Sequence, residues 1–232
     1  MKKHDKTFKK SIHEKLSGAC GNSQALLIGL TGGIATGKST ASEIFRELGA
    51  VIIDFDVLAR KVVEPGEKSW KLIAEHFGDQ VLNADNSINR KKLSDIVFNN
   101  HLEKEKLEYF THPYIWDEFL KEAGQAIRKD NNCIILAVVP LLIEGNMQDL
   151  FSKNIVVYAP PGIQIKRVME RDKITREKAE DILASQMPID EKIQYADFII
   201  KNDGLIDKTR EQVKLLWDRF IKFRKVNQAD QG

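Results

Sequence analysis

The chain has 232 residues, with 36 lysines and arginines against 34 aspartates and glutamates, so its formal net charge at pH 7 is only +2. Charges of both signs are mixed along the chain, which argues against a nucleic-acid-binding protein, and no apolar run is long enough to span a bilayer. The length suffices for one α/β domain with insertions. Cys20 and Cys133 lie far apart, so we expect a reducing compartment and neither a disulfide framework nor a zinc site.

Residues 1–24 differ in composition from the rest of the chain. Lysines are concentrated at the start, and the apolar central region that a secretory signal needs is missing. Asp5 and Glu14 argue against a transit peptide. We therefore predict an N-terminal extension that is disordered or loosely helical.

A glycine-rich loop follows the first predicted strand, Leu26–Thr31. Residues 32–40 read GGIATGKST, which contains the GxxxxGKS pattern, and an amphipathic helix comes next. Backbone N–H groups of such a loop surround an anion, and the helix N-terminus favours negative charge. Lys38 would contact the β- and γ-phosphates and Ser39 would bind Mg²⁺. The pattern predicts a nucleoside triphosphate site.

Two acids follow the second predicted strand, Ala50–Ile53. Ligands of open parallel sheets lie beyond the carboxyl ends of the strands, so we expect Asp54 and Asp56 in the crevice that holds the phosphates. Residues two apart on an extended segment point the same way, so both carboxylates could face it. One acid could serve as a base towards an acceptor hydroxyl, and either could hold the metal through water. The structural alternative is that Asp56 caps a helix.

Residues 60–130 are predicted to form a helical insertion with room for a substrate pocket. Apolar residues recur at helical spacing through this segment. Arg90 and His112 are its polar candidates. Because His112 precedes Pro113, we expect a helix boundary there, at which capping or packing is the alternative to a ligand role.

Three more strands are predicted, at Cys133–Val139, Asn154–Tyr158 and Ala196–Ile200. Many P-loop enzymes have a magnesium-associated aspartate at the end of the strand that corresponds to Cys133–Val139, and this chain has no acid there. We therefore expect Asp54 or Asp56 to be the carboxylate partner of the metal. A final helix carries Val213, Leu216 and Phe220 on one side.

Two arginines lie four residues apart on a helix between the last two strands. Arg167 and Arg171 share a helical face. They form either a solvated face or part of a lid that stabilises a transferring phosphoryl group.

These elements predict an α/β protein with a P-loop NTPase fold. A parallel sheet is flanked by helices and carries a helical substrate-binding insertion and a small lid at about 164–190. The main domain is expected at 25–224, with a frayed tail at 225–232.

With these residues in view, the chain resembles the dephospho-coenzyme A kinase family over roughly Leu26 to Ile221. The matching segments are Leu30–Thr40, Ile53–Asp56, Val62–Gly66, Asn89-Arg90, Thr111–Pro113, Val139–Glu144, Gln164–Arg167, Arg171-Asp172, Thr175–Glu177 and Asn202–Gly204. The phosphate loop alone would indicate only the superfamily, whereas this ordered set is far more specific.

The resemblance implies transfer of the γ-phosphoryl group of ATP to the ribose 3′-hydroxyl of dephospho-coenzyme A, with Mg²⁺. It implies Lys38, Asp56 (as base) and Arg167 as catalytic residues. The implied ATP-binding residues are Gly33, Ala35, Thr36, Gly37, Lys38, Ser39, Thr40, Arg171 and Asn202, the last near adenine. The implied substrate-binding residues are Thr31, Asp54, Arg60, Arg90, His112, Pro140 and Leu141. We expect a cytoplasmic protein, monomeric or weakly homo-oligomeric, with neither nucleic acid nor membrane as partner.

Phe55 and Lys201 depart from the family pattern, which usually has a small residue and an acid there. Three alternatives stay open: another small-molecule P-loop kinase, a nucleotide-dependent switch, and an inactive binding module. Val62–Gly66 and Pro140–Glu144 distinguish the first alternative. A GTPase switch would carry an Asn-Lys-x-Asp motif, which Ile200–Asp203 only superficially resembles.

Overall fold

The computed structural model describes residues 3–20, 23–98 and 100–229. The chain separates into two compact units: Met1–Ile53 with Ala123–Gly232, and Asp54–Glu122. The second unit overlaps the segment 60–130, for which we predicted a helical insertion, and its bounds lie several residues earlier. No helix in the described part of the chain is long and apolar enough to cross a lipid bilayer.

A five-stranded sheet lies in the first unit and confirms the predicted fold class. Its strands are β1 (Leu26–Gly32), β2 (Val51–Asp54), β3 (Ile134–Val138), β4 (Lys153–Tyr158) and β5 (Phe198–Lys201), in the order β2-β3-β1-β4-β5. β1 pairs in parallel with both β3 and β4, so Leu30 lies opposite Val138 on one side and Ile155 on the other. Because β1 and β3 are buried along their whole length, they appear in the sequence as continuous apolar runs.

The α-helices of the described residues are α1 (Lys3–Cys20), α2 (Lys38–Glu47), α3 (Phe55–Lys61), α4 (Lys68–Phe77), α5 (Arg90–Phe98), α6 (His101–Lys129), α7 (Pro161–Asp172), α8 (Arg176–Ala184), α9 (Ile189–Lys192) and α10 (Ile206–Ala229). α2 and α10 pack on the sheet, where the rings of Phe45 and Phe220 lie 6.3 Å apart. Val213 and Leu216 are buried beside them, as predicted from their spacing.

The helical unit has its own apolar interior. One cluster includes Ile73, Phe77 and Leu93. In another group, the ring of Phe55 lies 5.0 Å from that of Trp116 and 5.1 Å from that of Phe119. Phe55, a departure from the family pattern, is therefore an aromatic core residue of this unit.

Both ends of the chain are more helical than we expected. Residues 3–20 form α1, in which Ile12 and Leu16 are buried and Nζ of Lys9 donates to the carbonyl of Asn146 at 2.5 Å. Ile12 and Leu16 lie four residues apart, so they share one face of α1 and bury it. Two apolar residues are too few to give a clear helical pattern in the sequence. α10 continues to Ala229, and residues 1–2, 21–22 and 230–232 lie outside the described residues.

The predicted helix boundary at His112 is wrong. Pro113 lies inside α6, where it removes one backbone hydrogen bond at a cost of about 3 kcal/mol. Ile115, Trp116 and Phe119 are buried in the turns that follow. Burial of these large side chains stabilises the continuing helix by more than the proline costs.

Candidate active site

The phosphate loop joins the end of β1 to the start of α2. Ala35 has a left-handed backbone (φ 55), which costs a residue other than glycine about 1–2 kcal/mol. The buried hydroxyl of Thr36 donates to the carbonyl of Gly33 at 3.0 Å. Gly37 precedes α2 with φ 95, a conformation that favours glycine. Such strain persists only where the surroundings hold the backbone in place.

Positive charge and a helix N-terminus meet at this loop. Nζ of Lys38 donates to the carbonyls of Gly32 at 3.1 Å and Gly33 at 2.9 Å, so its ammonium group lies over the loop. Ser39 and Thr40 follow in the first turn of α2, and the side chain of Ser39 is exposed. The first N–H groups of a helix have no partner within it, so this end of α2 attracts an anion.

Asn202 supports the loop from the end of β5. Its buried side chain donates from Nδ2 to the carbonyl of Thr36 at 2.8 Å and accepts from the hydroxyl of Thr209 at 3.0 Å. A Cβ atom on Gly37 would collide with the Asn202 amide. The resemblance implied that Asn202 lies near adenine. In the structure, its side chain binds the phosphate loop directly.

The two arginines of α7 have different surroundings. Arg167 is half-buried and donates from Nη1 to the carbonyl of Ala35 at 3.2 Å and from Nη2 to the carbonyl of Asn202 at 2.9 Å. Arg171 is exposed and forms two hydrogen bonds to Asp172, at 2.8 and 2.7 Å, which lower the pKa of that carboxyl. Arg171 is thus exposed and paired with Asp172, whereas Arg167 contacts the phosphate loop.

The turn after β3 also contacts the loop region. The buried hydroxyl of Thr31, near the end of β1, donates to the carbonyl of Pro140 at 3.1 Å. Leu141 follows with half of its side chain exposed. Thr31 and Pro140, both implied as substrate-binding residues by the resemblance, thus lie together beside the start of the phosphate loop.

In the helical unit, Asp54 rather than Asp56 caps α3, so the alternative that made Asp56 the cap is wrong. Oδ1 of Asp54 accepts from the backbone N–H of Asp56 at 2.8 Å. Asp56 lies in the first turn of α3 with an exposed side chain. The expectation that both side chains project from one extended segment is also wrong, because the helix begins at Phe55.

The other candidates of the helical unit lie on three helices. Arg60 is in the last turn of α3, Arg90 is the first residue of α5, and His112 lies in the middle of α6. All three side chains are exposed.

Two residues in contact with the phosphate loop or with Asn202 were not among our candidates, namely Gln186 and Thr209. Neither were Glu144 and Lys192, which pair with each other, Glu144 also accepting from the N–H of Met187 next to Gln186. Glu144 is the last residue of the Pro-Leu-Leu-Ile-Glu segment, which we recognised as a family motif without assigning a role to the glutamate. Gln186 and Thr209 belong to no motif that we used. Their contacts with the loop or with Asn202 depend on the tertiary fold alone.

Comparison with known proteins agrees with these features. A family model described as dephospho-CoA kinase matches residues 26–208. A dephospho-CoA kinase of Listeria monocytogenes is 41% identical over 195 residues, which cover 84% of this chain and 97% of the Listeria protein.

Two solved structures are also similar. The Thermus thermophilus protein TT1252 matches with a TM-score of 0.72 at 27% identity, over 84% of this chain and 97% of its own. A Campylobacter jejuni dephospho-CoA kinase matches with a TM-score of 0.58 at 34% identity, over 85% of this chain and 98% of its own. The chain belongs to the dephospho-CoA kinase family.

Proposed function

We propose that this protein transfers the γ-phosphoryl group of ATP to the ribose 3′-hydroxyl of dephospho-CoA, giving CoA and ADP in the last step of CoA biosynthesis. The observation that carries the proposal is the family match over residues 26–208, which includes the phosphate loop, Asp54, Asp56 and Arg167. The two alternatives without phosphoryl transfer to a small molecule, the switch and the inactive module, have no comparable support.

ATP binds through the phosphate loop in this proposal. Backbone N–H groups from Ala35 to Thr40 surround the phosphates, and Lys38 moves from the carbonyls of Gly32 and Gly33 to the β- and γ-phosphates. The guanidinium of Arg167 has five N–H donors, of which the hydrogen bonds to Ala35 and Asn202 occupy two. The remaining donors can stabilise charge on the transferring phosphoryl group.

Asp56 is the base that receives the proton of the acceptor hydroxyl. The ribose oxygen forms a bond to the γ-phosphorus while the bond from that phosphorus to the bridging oxygen of ADP breaks, and the proton passes to the Asp56 carboxylate. Because the transition state of phosphoryl transfer is loose, Asp56 contributes as much by orienting the hydroxyl as by removing its proton. Its exposed position in the first turn of α3 leaves the carboxylate accessible to a substrate.

Mg²⁺ fits the residues of the loop. The described residues contain no group of three histidines, cysteines or acids able to hold a metal ion. Mg²⁺ in kinases is bound mainly by substrate phosphates and water, with one or two protein oxygens. The exposed hydroxyl of Ser39 would supply such an oxygen, with Asp54 or Asp56 through water, and the ion would neutralise phosphate charge.

The acceptor contacts the helical unit in this proposal. Arg60 and Arg90 carry charge suited to the diphosphate of dephospho-CoA, and His112 is a further contact of this unit. Pro140 and Leu141 are the acceptor contacts that we propose outside it. We place the protein in the cytoplasm, in keeping with its small number of cysteines, and expect a monomer or weak homo-oligomer.

A coupled ADP-release assay tests the function. ATP is supplied with dephospho-CoA or with one member of a panel of nucleosides, nucleotides and sugar acids. We expect turnover to depend on dephospho-CoA and the product to carry a 3′-phosphate. Rapid hydrolysis without an acceptor, or preference for a nucleoside monophosphate, would contradict the proposal.

A further inference from the structure

The turn after α8 contacts the phosphate loop through one side chain to which the proposed function assigns no role. Oε1 of Gln186 accepts a hydrogen bond from the backbone N–H of Ile34 at 3.1 Å, across 152 positions of sequence. Ile34 directly precedes Ala35, the residue with the left-handed backbone. The contact therefore acts where the loop is most strained.

Two side chains hold the backbone on either side of this strain. Gln186 binds the N–H of Ile34, and Arg167 binds the carbonyl of Ala35. Both come from the segment that contains α7 and α8, which pack against each other. A strained backbone of this kind needs external contacts to persist, and these are two that the structure supplies.

Gln186 is itself held in place by the turn after β3. The neighbouring N–H of Met187 donates to Oε1 of Glu144 at 3.3 Å. The same carboxylate oxygen lies 2.7 Å from Nζ of Lys192, whose side chain is completely buried. Since the carbonyl of Pro140 in this turn accepts from Thr31, the turn is connected to both β1 and the segment that carries Gln186.

We propose that Gln186 is a positioning residue for the triphosphate of ATP, with Glu144 as its support. By holding the Ile34 peptide, it keeps the N–H groups that follow Ala35 directed at the phosphates. The inference rests on the proposed function only in that ATP is the phosphoryl donor. A neutral amide suits this place because it satisfies the Ile34 N–H without adding negative charge beside an anion.

Gln186→Met tests the inference because methionine has a similar length and no strong acceptor. Titration calorimetry with MgATP and no acceptor should show binding about threefold to tenfold weaker, the effect of one lost neutral hydrogen bond. In steady-state assays KM for ATP should rise by a similar factor while KM for dephospho-CoA stays unchanged. The melting temperature should fall by no more than about 4 °C.

Gln186→Glu distinguishes a role in positioning the phosphate loop from a general loss of order in the loop. The carboxylate still accepts from the Ile34 N–H, so the loop keeps its conformation, but its charge repels the triphosphate. We expect weaker ATP binding whose deficit shrinks as salt is raised from about 0.05 to 0.5 M, because salt screens charge repulsion. The deficit of Gln186→Met should not depend on salt.

Gln194→Met is the matched control, since Gln194 is an exposed glutamine of the same segment. It should bind MgATP as the wild type does. Wild-type affinity in Gln186→Met, the same loss in Gln194→Met, or an equal rise in KM for both substrates would each overturn the inference. Failure of the wild type to phosphorylate dephospho-CoA would overturn the proposed function and leave the ATP-binding comparison intact.

Discussion

The phosphate-loop region and the helical unit Asp54–Glu122 use their polar side chains in opposite ways. Around the loop, polar side chains bind the loop's own backbone: Thr36, Arg167, Gln186 and Asn202. In the helical unit, Asp54 caps α3, and the other candidate residues are exposed: Asp56, Arg60, Arg90 and His112. The interior of that unit is apolar and aromatic.

Because of this difference, substitutions near the phosphate loop and substitutions in the helical unit should affect different steps of the reaction. Near the loop, a side chain that serves the reaction also maintains the site, so its removal should affect ATP binding together with turnover. In the helical unit, a side chain can be removed without disturbing the core, so its loss should affect the acceptor step alone. The predictions below test this contrast.

Arg167→Ala should have the largest effect. Loss of a charge-stabilising arginine lowers kcat by about 10³–10⁵ in phosphoryl transfer. ATP binding should weaken as well, because the hydrogen bonds to Ala35 and Asn202 are lost. Arg167→Lys should remain poor because an ammonium group cannot reproduce the planar fork. The measurements are kcat and MgATP titration.

Arg176→Ala is the control for this substitution, because Arg176 forms an exposed pair with Glu180 at 2.7 Å. It should leave kcat and ATP affinity unchanged. If Arg167→Ala turned over normally, Arg167 would be a structural clamp of the loop and nothing more.

Asp56→Asn should lower kcat by about 10²–10⁴, the usual contribution of a general base. ATP affinity should stay at the wild-type value, in contrast to Arg167→Ala. Asp54→Asn is a matched comparison, since asparagine also caps helices and keeps an oxygen for the Asp56 N–H. We expect it to fold normally and to depend more strongly on magnesium, as a titration of kcat with Mg²⁺ would show. A parallel loss of ATP binding and rate in Asp56→Asn would contradict the base assignment.

Lys192→Met should destabilise the fold by about 3 kcal/mol, because it leaves the Glu144 carboxylate without its buried cation. Urea denaturation measures the change in the free energy of unfolding. Lys166→Met is the control, since Lys166 is exposed and lies 4.0 Å from an exposed Glu170. Its effect should be within about 0.5 kcal/mol. If the two substitutions lowered the free energy of unfolding equally, the buried position of Lys192 would not explain its contribution to stability.

Glu118→Gln should have the smallest effect, about 0.2–1 kcal/mol at pH 7. The hydrogen bond from Lys61, at 2.5 Å, holds the pKa of Glu118 below its ordinary value of 4.5. A carboxyl with a depressed pKa stabilises the fold above its unfolded pKa, and this contribution disappears as the pH falls through the folded pKa. Urea denaturation of the variant and wild type should thus differ at pH 7 and converge at acid pH. Glu122→Gln, whose oxygen lies 3.3 Å from the same lysine, should show a weaker form of this behaviour.

The sequence was sufficient for the parts of the fold that depend on local pattern. Continuous apolar runs identified β1 and β3, and the glycine spacing identified the phosphate loop between β1 and α2. Helical spacing identified the buried face of α10. These features follow from periodicity and from the conformational freedom of glycine, which operate within a few residues.

Features that depend on tertiary contacts could not be predicted from local sequence pattern. Arg167 and Arg171 are indistinguishable by spacing, because the rotation of α7 relative to the loop decides which of them reaches Ala35. The hydrogen bond of Gln186 joins distant segments, and no local pattern indicates it. The continuation of α6 through Pro113 likewise depends on burial of the aromatic residues that follow.

Asn202 closes the space beside Gly37 to any side chain. The amide of Asn202 occupies the space that any side chain at position 37 would need, and it binds the carbonyl of Thr36 next to it. A single substitution at Gly37 therefore meets a steric barrier, and a single substitution at Asn202 removes a contact of the loop without relieving the φ of 95 at Gly37. Thr209 donates to the side-chain oxygen of the same amide from a buried position, so its hydroxyl also helps to hold Asn202 in place. Natural variation at this corner of the enzyme should accordingly spare Gly37 and Asn202.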